Sequence, residues 1–155
     1  MTDEKAKDSL NSTLAGIKWI VRFFTWLNVV VYRASGGRLM NQSEGKPVCL
    51  VTMTGHKSGR QKTIALMHVA DGDNVLLVAS LGGQPKNPVW YYNLKAQPAI
   101  EIQFGKVLRV MLAREATAEE RLALWPKAVA AFPSFADYQR KTTREIPLFI
   151  CTPRA

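Results

Sequence analysis

The connections between the apolar, β-branched runs of this chain are too short for most folds. Ala99–Phe104 meets Val107–Arg114 across Gly105-Lys106, and Thr63–Ala70 meets Val75–Ser80 across Asp71-Gly72-Asp73-Asn74. A parallel crossover takes a dozen or more residues, so each pair must form an antiparallel hairpin, with glycine supplying the turn. Val48–Thr54 and the closing run Ile146–Cys151 bring the total to about six antiparallel strands.

Helices fall around these strands and do not alternate with them. Ser12–Arg33 reads as one long helix with Asn11 or Ser12 as its cap. Val89–Lys95 is a short helix, with Asn87 as cap, Pro88 at its first position and Pro98 as its stop. Thr117-Ala118-Glu119-Glu120 is a capping box opening a helix through Val129, which Pro126 should kink or break. Ser134 starts a short helix carrying Phe135 and Tyr138. A doubly wound parallel sheet is therefore disfavoured. The expected fold is mainly β with flanking helices (α+β), as a small closed or split barrel. The chain of 155 residues makes one domain with three parts: a charged, mobile tail at 1–11, an amphipathic helix at 12–33 and a barrel domain at 34–155. Residues 34–47, rich in glycine, form a linker.

A net charge of +9 favours anionic partners: nucleic acid, an acidic membrane surface or a polyanionic small molecule. Nucleic acid is disfavoured, because the aromatics are not interleaved with the cations as a stacking platform. Cys49 and Cys151 lie in apolar runs and read as core thiols of a reducing, cytoplasmic compartment. With only His56 and His68 besides them, no metal-ligand spacing is present and no metal is expected. In the N-terminal helix Lys18 and Arg22 leave only Phe23–Tyr32 uninterrupted, whereas a membrane span needs roughly 20 apolar residues. Two readings stay open for this helix. It packs on the domain, at a core or homodimer interface. Or it lies peripherally on the inner face of the cell membrane, with Trp19 and Trp26 at headgroup level.

The stretch from Thr54 to Thr63 joins two strand candidates and holds Gly55, Gly59, Lys57, Arg60 and Lys62. A glycine-loosened basic turn suits an anion such as phosphate, although an ordinary hairpin loop with solvated lysines has the same composition. A second glycine-rich loop, Leu81–Pro88, leads into Trp90, Tyr91 and Tyr92. No nucleophile sits with a base, no carboxylate pair stands out, and His68 in its apolar run reads as a satisfied packing residue. The pattern fits a protein that holds a planar, anionic cofactor and leaves the chemistry to it.

Several runs carry a family resemblance: Gly55-His56-Lys57-Ser58-Gly59-Arg60, Val78-Ala79-Ser80-Leu81-Gly82-Gly83, and Lys86-Asn87-Pro88-Val89-Trp90-Tyr91-Tyr92-Asn93-Leu94-Lys95-Ala96. With Trp125-Pro126, Phe132-Pro133-Ser134-Phe135-Ala136-Asp137-Tyr138-Gln139 and Ile146-Pro147, they resemble the deazaflavin-dependent nitroreductase family over about residues 12 to 153. The resemblance implies a split β-barrel that binds coenzyme F420 and passes hydride from its reduced form to quinones, nitroaromatics or activated enones. It places His56, Lys57, Ser58 and Lys62 on the phosphate and glutamate tail, and Thr63, Ile64, Ala65, Leu66 and Met67 along the ring. Val78, Ala79, Ser80 and Leu81 would lie beside the deazaflavin, with Val89, Trp90, Tyr91, Tyr92 and Asn93 closing over it. Ser80 and Tyr138 would polarise or protonate the acceptor, in a substrate pocket formed by Met67, Phe132, Phe135 and Tyr138.

The chain also departs from the family pattern. Phe132 and Phe135 stand where the family's nitro-drug activator has tyrosines, Leu81 where it has lysine, and Met67 where it has an aromatic near the ring. A phenyl ring keeps the stacking surface but donates no hydrogen bond, so the expectation is a lipophilic acceptor such as a quinone and weak nitroreduction. The alternatives are an FMN-binding split barrel and a non-catalytic F420 carrier at the membrane.

Overall fold

The computed structural model describes residues 2–39, 42–43 and 45–154. Helix α1 (Thr2–Ala34) is followed by strands β1 (Gln42–Ser43), β2 (Lys46–Thr54), β3 (Gln61–Met67), β4 (Val69–Asp71) and β5 (Asn74–Val78). A 3₁₀ turn at Leu81–Gly83 leads to α2 (Val89–Ala96), then β6 (Ala99–Phe104) and β7 (Val107–Glu115). Helices α3 (Ala118–Ala131) and α4 (Ser134–Arg140) precede β8 (Leu148–Pro153).

Every pairing is antiparallel, in the order β3-β2-β6-β7-β8-β5-β4, with the short β1 on the end of β2. The strands at the two ends of this path, β3 and β4, are separated in the chain by His68 alone. A one-residue link can join opposite edges only if the sheet curls until those edges meet. Because β3 and β4 do not pair with each other, the barrel is split along that seam.

The expected hairpins form at Asp71↔Asn74 and Phe104↔Val107, with Gly72 and Gly105 at positive φ. The single strand expected at Thr63–Ala70 is two. It breaks at His68 because its halves serve opposite edges, which takes the sheet from about six strands to seven plus β1.

Alternation decides what is buried. Cys49, Val51, Met53, Val75, Leu77, Phe149 and Cys151 fill the barrel interior with Trp90 and Leu94 of α2. The intervening Leu76, Val78, Leu148 and Ile150 face outward under Ala128, Phe132 and Phe135 of α3 and α4. Val48 and Leu50 are covered by Val29 and Tyr32 of α1. Covering on both faces explains why β2, β5 and β8 read as unbroken apolar runs.

Several expectations change. The helix does not begin at residue 12 after a mobile tail: it runs from Thr2. Neither Gly nor Pro interrupts the sequence before Gly16. Positions 1, 40, 41, 44 and 155, which belong to the expected tail, linker and domain end, lie outside the described residues.

Helix α3 runs unbroken through Pro126. Pro126 and Leu122, whose carbonyl loses its helical partner, are both on the exposed side, where water can take that bond. Its capping box is as expected, with Glu120 N–H donating to Thr117 Oγ1 at 3.2 Å and Thr117 N–H to Glu120 Oε2 at 2.9 Å. Asn87 caps nothing, since α2 starts after Pro88 without a side-chain cap bond. His68 packs edge-on to Phe104 at 4.9 Å but is not satisfied, because its buried Nδ1 has no partner.

Candidate cofactor site

The seam opens into a cavity of about 230 Å³. Leu66 and Met67 line it from β3, Val78 and Ser80 from the end of β5, Pro88 and Trp90 from the start of α2, Phe135 from α4, and Leu81 from the 3₁₀ turn. All but Pro88 carry a role in the sequence reading. The walls are apolar apart from the Ser80 hydroxyl, which makes no cap bond to the turn beside it.

Leu81 is the one non-glycine residue at positive φ among the described residues, at +45°. An L-residue held there costs about 1–3 kcal/mol and persists only where the surroundings impose it. Two features surround it here. Gly83, at φ +81°, is buried so closely that a Cβ would lie 2.5 Å from the Tyr138 carbonyl oxygen. The second is Arg144. Its Nε donates to Gln84 O at 2.9 Å and its Nη1 to Asn87 Oδ1 at 2.8 Å. Its Nη2 donates to Ala79 O at 3.1 Å and Ser80 O at 2.8 Å. Burial pulls the guanidinium below its ordinary range, which still leaves it charged. Sequence reasoning missed Arg144. Its acceptors are mainly backbone carbonyls, which no motif marks; the one visible signal, Asn87, reads in the sequence as a helix cap.

The first basic loop closes on itself, with Gly55 N–H to Arg60 O and Gly59 N–H to Gly55 O, both at 2.8 Å. Asn93, 3% exposed, anchors it to α2: Oδ1 accepts the His56 N–H at 2.9 Å and lies 2.6 Å from His56 Nδ1, while Nδ2 approaches Met53 Sδ at 3.5 Å. Its amide is thus committed to bracing the loop. The other members of the aromatic helix diverge. Trp90 lines the cavity and packs on Phe149; Tyr91 turns to β7 and donates to Glu115 Oε2 at 3.0 Å; Val89 and Tyr92 are exposed. Burial, then the bond to Glu115, raises the Tyr91 phenol above its ordinary range. Along β3 the expected ring-lining residues also divide. Thr63 Oγ1 bonds Thr52 Oγ1 at 2.8 Å and Ile64 packs against the barrel core, while Leu66 and Met67 reach the cavity and Ala65 is exposed. Ala79 is buried in the barrel core, so at this site only its carbonyl acts, on Arg144. Phe132 packs beneath α3 at 5.4 Å from Phe135, and half-buried Tyr138 stands beside Phe135 at 6.4 Å, so neither lines the cavity itself.

A second, larger groove of about 640 Å³ runs between α1 and the basic loop. Arg22, Thr25 and Arg33 line one side, and Ser58, Arg60, Gln61, Lys62 and Thr63 the other. The Arg33 guanidinium lies 3.4 and 3.5 Å from the Thr52 and Thr63 hydroxyls. The ion pairs among the described residues lie elsewhere, at Lys95–Glu115, Arg114–Glu120, Arg121–Glu145, Lys127–Asp71 and Arg140–Asp137. Among the described residues, the cations of this groove therefore have no ion-paired carboxylate. An apolar slot carrying one hydroxyl, beside a cationic groove, fits a ligand with a planar ring and an acidic tail.

The profile of the F420H(2)-dependent quinone reductases matches residues 25–153. The chain belongs to that family. A Mycobacterium tuberculosis F420H(2)-dependent quinone reductase is 34% identical over 132 residues, spanning 83% of this chain and 89% of the relative. A solved F420-H2 dependent reductase is 45% identical, covers 68% of this chain and 93% of its own, and superposes with a TM-score of 0.64. A second solved relative, described as a domain-swapped dimer, is 36% identical over 88% of this chain and 98% of its own, with a TM-score of 0.66. The family's matched region takes in both glycine-rich loops, the cavity and the C-terminal end of α1 from residue 25.

Proposed function

We infer that this member of the F420H(2)-dependent quinone reductases passes a hydride from reduced coenzyme F420 to a lipophilic quinone. The observation that carries the reading is the convergence of β3, β5, α2 and α4 on one apolar slot beside an unneutralised cationic groove. Leu66, Met67, Val78, Leu81 and Trp90 hold the deazaflavin ring and exclude water, which fixes its orientation toward the acceptor. The coenzyme supplies the hydride. The Ser80 hydroxyl donates a hydrogen bond to the acceptor oxygen as it gains charge, and Tyr138 backs Phe135 at the wall of the slot. Lys57, Lys62, Arg60, Arg22 and Arg33 bind the phosphodiester and glutamate tail. Apolar Phe135 and Met67 favour quinones over polar nitro compounds, on which activity is weak.

The barrel, with the groove side of α1, is the coenzyme-holding unit. The free face of α1 takes on a further role. Trp19 is 67% exposed, beside exposed Phe23 and Phe24, while Trp26, 57% exposed, stands at the edge of the cationic groove. No helix among the described residues is long and apolar enough to cross a membrane; exposed tryptophans and phenylalanines on one helix face support contact with an acidic lipid leaflet holding the quinone. The domain-swapped relative supports a second copy of the chain as a partner, which this face is also free to meet. Sedimentation with anionic vesicles and light scattering separate the two. The coenzyme reading is tested by titrating the purified protein with F420 and, separately, with FMN. Tight F420 binding is expected; tight FMN binding without F420 binding would overturn it.

A further inference from the structure

Two arginines and one glutamine form a chain of contacts behind the cavity that the reaction itself leaves unused. Arg121 stacks over Trp125 at 4.3 Å and donates to Ile146 O at 2.7 Å and Gln139 Oε1 at 2.9 Å. Gln139 in turn accepts the Ile146 N–H at 2.9 Å and donates through Nε2 to Arg144 O at 2.8 Å. Arg144 is thereby held by its own backbone, and its guanidinium reaches four acceptors spread from Ala79 to Asn87.

The acceptors bracket Leu81. Ser80 O receives both the Gly83 N–H at 2.9 Å and Arg144 Nη2 at 2.8 Å. Fixing the Ser80 carbonyl fixes the peptide that leads into Leu81, the residue held at φ +45°. Without that bond the Gly83 N–H is the remaining partner of the Ser80 carbonyl, and the Ser80–Leu81 peptide is freer to rotate and return Leu81 to negative φ. Such a rotation would move the Ser80 hydroxyl and the Leu81 side chain, both of which line the cavity.

We propose that Arg144 is a positioning residue: it clamps the Ala79–Asn87 loop and imposes the left-handed backbone at Leu81, which sets Ser80 and Leu81 in the cofactor slot. The proposal rests on the coenzyme reading above for its functional readout, and on the loop alone for its structural one. It requires energetic coupling between Arg144 and the strain at Leu81. Glycine adopts φ +45° without penalty, so with glycine at 81 the clamp has less to hold.

The test is a double-mutant cycle with Arg144→Gln, Leu81→Gly and the pair, read as F420 affinity and as kcat and KM for a soluble benzoquinone. Arg144→Gln is expected to weaken coenzyme binding about tenfold in the Leu81 background and only about two- to threefold in the Leu81→Gly background. Equal losses in both backgrounds, or no loss in either, would overturn the proposal. Arg144→Lys, which keeps the charge but cannot span four acceptors, guards against a variant that fails to fold. It should fall between wild type and Arg144→Gln in affinity, and wild-type affinity would count against the clamp. Hydrogen exchange of the Gly83 and Gln84 amides in the ligand-free chain reads the clamp without the coenzyme. Arg144→Gln should speed their exchange and spare the amides of β2, and unchanged exchange would overturn the proposal. A wild-type protein that binds no F420 while showing this exchange pattern would overturn the coenzyme reading and leave the clamp standing.

Discussion

At the residue scale, two phenylalanines that look equivalent in sequence are not equivalent in the fold. Phe135, 1% exposed, still forms part of the cavity wall, whereas Phe132 is buried beneath α3. Phe135→Tyr is expected to raise turnover of polar nitro acceptors, because its hydroxyl is added at the slot. Phe132→Tyr is expected to cost about 1–3 kcal/mol of stability with no gain in turnover, because its hydroxyl is buried without a partner. Denaturant melts and nitro-acceptor kinetics on the two single variants check this. A Phe132→Tyr protein that is both stable and more active would contradict it. His68 gives a pH dependence. Burial lowers its pKa below the ordinary 6.5, so the fold binds the neutral ring. That contribution is complete above the unfolded value and lost as pH falls through 6.5 toward the folded one. Thermal melts from pH 8 to 5.5 should show stability falling, and His68→Gln should flatten part of the slope. An identical slope in the variant would remove His68 from the account. These two side chains also mark a limit of sequence reading. Residue type shows that a ring is apolar, but burial against α3 or exposure to a cavity depends on helices packed from far along the chain.

At the element scale, α1 is anchored through its C-terminal end. Tyr32, 2% exposed, accepts the Gly105 N–H at 2.7 Å, and a Cβ on Gly37 would lie 2.3 Å from Gly105 Cα. This end of the helix belongs to the core, so the domain boundary expected at residue 33/34 cuts through packed structure. Tyr32→Phe should destabilise the fold by about 1–3 kcal/mol by leaving that amide without its acceptor. Trp19→Ser with Phe23→Ser should leave stability nearly unchanged and abolish vesicle sedimentation. Unchanged sedimentation would assign the face to another partner. The polar side of the same helix faces the cationic groove. Arg22→Gln and Lys62→Gln are each expected to weaken F420 binding about two- to fivefold, more for longer glutamate tails and less at high salt. A loss that ignores tail length would place the tail elsewhere. The helix itself was plain in its apolar pattern. Its division into an anchored end, an exposed aromatic face and a groove wall was not, because that depends on which strands lie under Val29 and Tyr32.

At the scale of the whole molecule, the short turns predicted the hairpins, and the hairpins required an antiparallel sheet. The closure of that sheet was hidden in one residue: Thr63–Ala70 looks like a single strand, yet His68 hands the chain from one edge of the barrel to the other. The cavity lies along the resulting seam, and for that reason residues as distant as Met67, Ser80, Trp90 and Phe135 form one site. Most of the site was legible through the two glycine-rich loops and the aromatic helix. Arg144 was not, since it acts on backbone carbonyls, and Asn93, expected over the ring, serves the loop instead. Closure also seals the interior: burial pushes the Cys49 and Cys151 thiols up to about 12, so both should resist maleimide until the protein unfolds. The central claim is hydride transfer at this seam. It is tested most directly by following oxidation of reduced F420 on addition of a quinone, with wild type and Ser80→Ala side by side. The account predicts quinone-dependent oxidation by wild type and a kcat at least about tenfold lower for Ser80→Ala with coenzyme affinity retained. Absence of quinone-dependent oxidation by a wild-type protein that binds F420 would contradict it.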